Sequence, residues 1–214
     1  FVPEANSRMI MLETGEIDLA RDLLPLDFKK ISEDTKFTTV EVETPSNMFL
    51  GFDLRNELLA DKRVRQAIAY AINNEDLVKT VFNGSASVAT SPVPKITTGH
   101  NENSNNYPQN IEKAKQLLAE AGYPNGLNIE LFVSEDNQRI DMAVIIQDQL
   151  KQIGIDVTIE TLEWGTYLQK TGEGDFTAYL GGWISGTSDA DIVLYPLLDS
   201  KSIGFPGNRA RYSN

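Results

Sequence analysis

The chain has 214 residues, no cysteine, and a formal net charge of −12 from 31 acidic and 19 basic residues. This acidic balance opposes binding to nucleic acid and to anionic lipid, since both depend on clustered lysine and arginine. The absence of cysteine excludes disulfides, thiolate catalysis and cysteine-ligated metal sites. The overall composition is typical of a soluble globular protein.

The N-terminal part is predicted to contain two short helices and two short strands. Asparagine and glycine bracket the first helix, over residues 6–14, and proline opens the second, over residues 25–32, as these residue types do at helix ends. A strand is predicted for residues 17–20. The alternating, β-rich composition of residues 37–43 predicts another strand.

The central part is predicted to hold a strand, two amphipathic helices and a long loop. The strand covers residues 48–53, and Asp61 then caps a helix with the sequence KRVRQAIAYAIN. Residues 84–108 contain three prolines, two glycines and almost no apolar periodicity, which predicts a long ordered loop. The second helix, over residues 109–121, is predicted to end at a glycine.

The remaining elements alternate between strands and helices. Strands are predicted at residues 129–133, 155–160 and 176–184, and helices at residues 137–154, 164–171 and 189–198. Such alternation favours an α/β fold in which helices cover a sheet. The sequence contains no internal repeat and no low-complexity segment.

Several ordered motifs resemble the oligopeptide- and dipeptide-binding family of extracellular solute-binding proteins. Residues 60–73, ADKRVRQAIAYAIN, are similar to its D-x-RVRQAI-x-YAI segment, and residues 110–126 resemble its AK-x-LL-x-EAGYP-x-G segment. Residues 163–183 look like its W-x-x-Y and GW region, and residues 12–20 like its L-x-x-GEID segment. The final ARYSN resembles a YSN that precedes another helix in longer members. The resemblance covers nearly the whole chain.

The resemblance implies a type II periplasmic-binding-protein-like lobe, with a mixed sheet and helices on both faces. It also implies a division into residues 1–43, part of a first lobe up to the hinge, and residues 44–214, an incomplete second lobe. The implied protein is a monomer that captures a peptide or peptide-like ligand for the permease subunits of an ABC importer. It needs no cofactor or metal, does not bind nucleic acid, and is periplasmic, extracellular or lipid-anchored at the cell surface.

The candidate site is the segment GGWISGTSDAD, residues 181–191, where a buried strand ends and a helix begins. In open α/β sheets, ligands bind beyond the carboxyl ends of strands, and by resemblance this loop lines the ligand cleft. The indole of one tryptophan offers a flat wall and an N–H donor. The predicted ligand-binding residues of this segment are Gly182, Trp183, Ile184, Ser185, Gly186, Thr187 and Asp189.

Gly186 bears on which ligand is expected. Many peptide-binding members of the family carry an aspartate at this position to pair with the α-ammonium group of the ligand, and its absence puts simple peptide specificity in doubt. The segment WISGTSDAD is more similar to the glutathione-binding branch, which suggests a glutathione-like ligand. Asp189 has a competing interpretation as the N-cap of the following helix.

Three further residues complete the predicted site. Arg209 offers a guanidinium that can clamp a ligand carboxylate in bidentate fashion. Trp164 is predicted to line a side-chain pocket, although an aromatic residue at helical spacing is more often part of a core. Asn47 belongs to a segment whose backbone can pair with an extended peptide.

Other functions compete with the receptor hypothesis. The only histidine, His100, lies in a polar loop and is predicted to be a surface residue rather than a metal ligand. The runner-up is an α/β hydrolytic enzyme that uses paired carboxylates, either Glu160 with Glu163 or Asp189 with Asp191. A receptor of the same family for a non-peptide small solute, and a chaperone-like or adhesive module of that family, also remain open.

Overall fold

The computed structural model describes residues 2–104 and 107–213. Its strands are β1 (Ser46–Phe52), β2 (Leu127–Ser134), β3 (Ile155–Leu162) and β4 (Ala178–Ile184). Its helices are α1 (Ala5–Thr14), α2 (Pro25–Ser32), α3 (Glu57–Ala60), α4 (Lys62–Ala71), α5 (Asn74–Phe82), α6 (Ile111–Glu120), α7 (Asn137–Lys151), α8 (Trp164–Glu173) and α9 (Asp191–Leu198), followed by a 3₁₀ turn at Ser200–Ser202.

The four strands form one mixed sheet in the order β1-β4-β2-β3. Strand β2 runs parallel to β3 on one side and parallel to β4 on the other, whereas β1 runs antiparallel to β4. The register sets Asn47 opposite Trp183 and Leu127 opposite Ile155. The α/β class and the mixed sheet predicted from the sequence are confirmed.

The main core lies between the sheet and helices α4, α6 and α7. Every second residue of β2, namely Ile129, Leu131 and Val133, is buried against apolar side chains of these helices. Burying an aliphatic side chain of this size stabilises a protein by about 1.5–3 kcal/mol relative to leaving it exposed. Helix α4 begins as predicted, because the Asp61 carboxylate accepts a hydrogen bond of 2.8 Å from the backbone N–H of Arg63.

A smaller aromatic core covers the opposite face of the sheet. Phe132 of β2 and Tyr179 of β4 pack there with Tyr167 of α8 and with Phe176. Phe176 and Tyr179 meet edge to face, with ring centres 4.9 Å apart, an arrangement that aromatic pairs prefer. Helices therefore lie on both faces of the sheet, as expected.

Two predicted strands are wrong. Residues 17–20 and residues 37–43 have neither strand conformation nor a pairing partner among the described residues. An alternating pattern stabilises a strand only when a neighbouring strand satisfies its backbone groups, and Val40 and Val42 are exposed. Conversely, the sequence reading missed helix α5, which begins where the Asn73 side chain accepts a hydrogen bond from the backbone N–H of Asp76.

The long loop predicted before α6 is present. Residues 83–104 and 107–110 contain neither helix nor strand, while residues 105 and 106 of the predicted loop lie outside the described residues. Within the described residues, no helix is both long and apolar enough to cross a bilayer.

Candidate functional site

The order in which the chain adds strands to the sheet reverses at β2, so the space between the carboxyl-terminal ends of β2 and β4 is a candidate binding crevice. From β2 the chain passes to β3 on one side and later returns to β4 on the other. Ligands of open α/β sheets bind at such a switch point, beyond the carboxyl ends of the strands. Strands β2 and β4 pair only at Leu131 with Ala178 and at Phe132 with Tyr179. Their carboxyl-terminal halves are therefore not hydrogen-bonded to each other.

Two side chains enter the space between these halves and bind the Leu180 carbonyl. The Tyr167 hydroxyl donates to it at 2.9 Å, and Nη1 of Arg139 donates to it at 3.3 Å. Burial raises the pKa of the Tyr167 hydroxyl, while the charges of Arg209 and Arg139 act in the opposite direction. Tyr167 thus stays protonated near neutral pH and serves as a donor.

Arg139 reaches this position from the first turn of α7. The Asp136 carboxylate caps that helix by accepting a hydrogen bond of 3.0 Å from the backbone N–H of Arg139. The ion pairs found among the described residues do not include Arg139. Its guanidinium is therefore a positive charge without a carboxylate partner in the described part of the chain.

Trp164 forms an exposed aromatic wall next to Arg139. It is the first residue of α8, remains 52% exposed, and stacks on Tyr167 with ring centres 5.6 Å apart. The guanidinium carbon of Arg139 lies 5.8 Å from the centre of the Trp164 ring, within the range of a cation–π contact. Glu163 fixes the start of this helix, and hydrogen bonds from the backbone N–H groups of Gly165 and Thr166 lower the pKa of its carboxyl.

The last residues of β4 expose both backbone and apolar surface at the same edge. Gly182 is exposed, and a Cβ placed there would lie 3.5 Å from Nη2 of Arg139. Ile184 is 77% exposed. Ser185 is buried: its N–H donates to the Pro45 carbonyl at 2.8 Å, and its hydroxyl donates to the Thr187 carbonyl. A Cβ at Gly186 would meet no atom of the described residues within 4 Å.

Two details of the predicted loop need correction. The Trp183 indole N–H, expected to be free for a ligand, donates to the Ile192 carbonyl at 3.0 Å. Helix α9 begins at Asp191, after Ala190 as its N-cap, and not at Asp189 as expected. The Asp189 carboxylate nevertheless accepts a hydrogen bond of 2.9 Å from the first N–H of this helix, that of Asp191. The capping role is thus displaced by one residue because the turn before the helix is longer than expected.

Asn47 uses its side chain to hold the long loop against the sheet. Its amide group donates to the carbonyls of Ser91 and Pro92 at 3.0 and 2.8 Å. Asn47 and Trp183 also line a groove of about 1380 Å³ that follows β1. The donors of the Asn47 side chain are therefore engaged within the protein.

Arg209 lies against the aromatic core. Its Nη1 donates to the Thr171 hydroxyl at 2.9 Å, and its guanidinium packs over the rings of Tyr167 and Phe205 at 5.9 and 5.5 Å. The structure therefore brings Arg139, rather than Arg209, to the Leu180 carbonyl and the exposed face of Trp164. The sequence signal for Arg139 is its place in the first turn of the helix that follows β2, but none of the residues predicted for the site comes from that helix.

The edge offers recognition groups rather than a metal centre. No cluster of three or more histidine, aspartate or glutamate side chains that could hold a metal ion is found within residues 2–104 and 107–213. The groups that converge are a guanidinium, an indole face, exposed glycine backbone and an apolar side chain. Such a set can bind a small ligand that has both an anionic group and apolar surface.

Comparison with known proteins identifies one family. The family model of the bacterial extracellular solute-binding proteins, family 5 Middle, matches residues 1–205. Heme-binding protein A of Haemophilus influenzae is 33% identical over 219 residues, which cover 100% of this chain and 40% of that protein. A glutathione-binding protein of Shigella flexneri is 31% identical over 226 residues, covering 100% of this chain and 43% of that protein.

A solved structure is similar over the full length of the chain. It is the ABC transporter-associated periplasmic binding protein DppA from Helicobacter pylori in complex with the peptide STSA, with a TM-score of 0.90 and 32% identity. The superposition covers 100% of this chain and 42% of that chain. It confirms the predicted lobe of the type II periplasmic-binding-protein kind. The chain spans 40–43% of the length of these similar proteins.

Proposed function

The chain belongs to the bacterial extracellular solute-binding proteins, family 5, and from this membership we propose that it forms part of a receptor that captures a peptide or peptide-like ligand for an ABC importer. The observation that carries the proposal is the edge between β2 and β4. Arg139, Trp164 and Gly182 come together there, at the switch point of the sheet where ligands of α/β folds bind.

We further propose that this chain supplies one wall of a two-lobed cleft. In this proposal residues 44–214 belong to the ligand-binding lobe, and residues 1–43 belong to the other lobe up to the hinge. Closure of the two lobes around a ligand is a hinge motion, and the closed form is the state that the permease subunits recognise. The extracellular family supports an exported location, either periplasmic or lipid-anchored.

A peptide-like ligand is the first candidate, and the similar proteins support it. The Helicobacter pylori structure contains a peptide, and the Shigella flexneri relative is a glutathione-binding protein. Ligand backbone can approach closely at the exposed Gly182, because glycine has no side chain to block it. The loop residues Trp183, Ile184, Ser185, Gly186, Thr187 and Asp189, together with Asn47 and Arg209, remain proposed members of the site.

Heme is a second candidate. The relative that is 33% identical is a heme-binding protein. An exposed indole next to a guanidinium suits a flat aromatic ligand that carries acidic groups, since the indole face can stack on the ring system and the guanidinium can pair with the acids.

The hydrolytic alternative receives less support from the positions of its carboxylates. Glu160 pairs with the Lys170 ammonium at 3.0 Å, and Glu163 caps helix α8. Asp189 accepts a hydrogen bond from the backbone of Asp191. Three of the four candidate carboxylates are therefore engaged in holding local structure, and we propose that the protein binds its ligand without covalent chemistry.

The test is a ligand screen on the full polypeptide in which this chain occurs. Its melting temperature would be measured alone and with the tetrapeptide STSA, with glutathione and with heme, and ligand recovered afterwards would be examined by mass spectrometry. A true ligand raises the melting temperature, by an amount that grows with the logarithm of its concentration over its Kd, and is recovered unchanged. The receptor proposal fails if none of the three raises the melting temperature, and the hydrolytic alternative gains support if a bound peptide is recovered cleaved.

A further inference from the structure

We propose that Arg139 is the residue that selects ligands with a free carboxylate, by binding that group at the carboxyl-terminal end of the crevice between β2 and β4. This inference rests on the proposed receptor function and adds a specificity determinant to it. The sequence reading assigned carboxylate binding to Arg209 instead.

Most of the hydrogen-bond donors of Arg139 have no anionic partner. A guanidinium carries five N–H donors in a rigid fork. Nη1 donates to the Leu180 carbonyl at 3.3 Å and the guanidinium also acts on the Tyr167 hydroxyl, but no carboxylate among the described residues pairs with it. Arg55 and Arg63, by contrast, each bind a carboxylate two residues earlier through Nε and Nη2. Arg139 therefore differs from both in having no anionic partner among the described residues.

The Arg139 side chain is already held in place before a ligand binds. The cap at Asp136 fixes its backbone, the Leu180 carbonyl fixes one end of its fork, and the Trp164 ring covers it at 5.8 Å. A pre-oriented guanidinium loses little conformational entropy when a ligand binds, because its rotamers are already restricted.

The space next to the Arg139 guanidinium is open on the side of Gly182. A Cβ at Gly182 would lie 3.5 Å from Nη2 of Arg139 and 3.4 Å from the Asn47 carbonyl oxygen. A side chain larger than a methyl group at this position would compete with a ligand for the approach to Nη2. Because residue 182 is glycine and exposed, the fork is open from the side of β4.

These three features match a carboxylate, which is the anionic group that both a peptide and heme carry. A carboxylate accepts two parallel N–H bonds from an arginine fork, and such charge-assisted pairs are about twice as strong as neutral hydrogen bonds. The carboxylate can come from the C-terminus of a peptide or from a propionate of heme, and the test below separates these sources.

The test compares each probe with a form that lacks its carboxylate charge. Isothermal titration calorimetry on the full polypeptide would use STSA against its C-terminal amide, and heme against its dimethyl ester. We expect the unmodified chain to prefer the acid form by roughly 10-fold to 100-fold, as is usual for a charge-assisted pair. The probe that shows this preference identifies the source of the carboxylate.

Variants assign the preference to a residue. Arg139→Gln should reduce the acid-to-neutral ratio to about 1, by weakening the acid form alone, and Arg139→Lys should keep part of it, because lysine retains the charge but not the fork. Arg63→Gln, on α4, is the matched control and should leave the ratio unchanged. Circular dichroism would verify that each variant is folded. If Arg139→Gln does not fold, the acid-to-neutral ratio of Arg139→Lys decides whether Arg139 binds the carboxylate.

Several outcomes would overturn the inference while leaving the receptor function intact. These are equal affinity of the unmodified chain for acid and neutral forms, an unchanged ratio in Arg139→Gln, or loss of the ratio in Arg209→Gln but not in Arg139→Gln. The last of these would return the role to Arg209. If none of the probes binds at all, the proposed function and the carboxylate inference fail together.

Discussion

Gly126 and Gly154 lie backbone against backbone where β2 and β3 begin: a Cβ on Gly126 would stand 1.8 Å from the Gly154 carbonyl oxygen. The same oxygen accepts a hydrogen bond of 3.2 Å from the Leu127 N–H. Both glycines have positive φ angles, of 85° and 83°, which other residues adopt only at a cost. This contact sets the register between β2 and β3, and so the position of their carboxyl-terminal ends.

We predict that Gly126→Ala is strongly destabilising. The methyl group would meet a backbone oxygen that cannot move without breaking the β2–β3 register, and the left-handed conformation adds about 1–2 kcal/mol to the cost. The matched control is Gly122→Ala, which has a φ of 97° but no atom within 4 Å of the new methyl group. Urea denaturation should show a loss for Gly126→Ala that exceeds that of Gly122→Ala by about 1–3 kcal/mol. Equal losses would mean that the contact is relieved by a small shift.

We predict that Asp53→Asn lowers stability more than Asp61→Asn does. Each aspartate binds an arginine two residues later at 2.6 Å, but the Asp53 side chain is only 5% exposed, whereas that of Asp61 is 27% exposed. Asp53 also holds Arg55 in reach of the Gly174 carbonyl. Removing the buried charge should cost about 1–2 kcal/mol in chemical denaturation. A larger loss at Asp61 would contradict the argument from burial.

We predict that Glu130→Gln raises stability at neutral pH. Burial, and then the nearby charge of Glu160, raise the pKa of the Glu130 carboxyl above its ordinary value of 4.5. The folded state therefore holds this proton more tightly than the unfolded state, and ionisation of Glu130 above its folded pKa costs stability. The gain from glutamine should be full at pH 7 and should vanish as the pH falls below 4.5, where Glu130 is protonated in both states.

The control for this prediction is Asp141→Asn on the exposed side of α7. It removes one negative charge from a chain of net charge −12 without changing a buried carboxyl. Denaturation midpoints would be compared at pH 7 and pH 4 for both variants. A gain of equal size at Asp141 would attribute the effect to net charge and not to the surroundings of Glu130.

We predict that Trp164 and Tyr167 affect different properties although their rings stack. Trp164→Ala removes an exposed surface and should weaken ligand binding by at least roughly 10-fold, as truncation of an aromatic anchor does, with little change in melting temperature. Tyr167→Phe removes the hydroxyl that binds Leu180 and should cost about 1 kcal/mol of stability. Thermal denaturation and calorimetry with STSA would be measured on both variants. A large loss of stability in Trp164→Ala would place that ring in the core instead.

The helices and strands that could be predicted from the sequence are those whose capping residues and periodicity lie within one short segment. Helix α4 shows its cap at Asp61 and its apolar face within one short segment, and β3 shows strict alternation beside α7. Residues 37–43 show alternation as well, yet they form no strand. A strand needs a neighbouring strand to pair with, and the alternation of one segment does not show whether such a neighbour exists. Helix α5 was missed even though Asn73 caps it in the usual way.

The position of the loop residues at the carboxyl edge of the sheet could be predicted from the sequence, but the contacts around them could not, and their role in binding a ligand stays a prediction. The glycines and the tryptophan at the end of the predicted strand indicated the carboxyl edge of the sheet, and the structure puts Gly182 and Ile184 in the last residues of β4 at this edge. The role of Arg139 depends on β2 and β4 separating after two residue pairs, and its hydrogen bond joins residues 41 positions apart. Periodicity within one segment does not show where two strands stop pairing, nor which residues distant in the sequence come into contact.

The open space around Gly186 allows the side chain at this position to change with little loss of stability. A new side chain there would meet no atom of the described protein within 4 Å, and it would not require a left-handed backbone. Gly186→Asp would therefore place a carboxylate at the binding edge at little cost in stability. In the proposed receptor, this one substitution would offer an anionic partner to an ammonium group of the ligand without requiring compensating changes in the core. Selection on the ligand preference of the proposed receptor could therefore change the loop after β4 with little change in the stability of the fold.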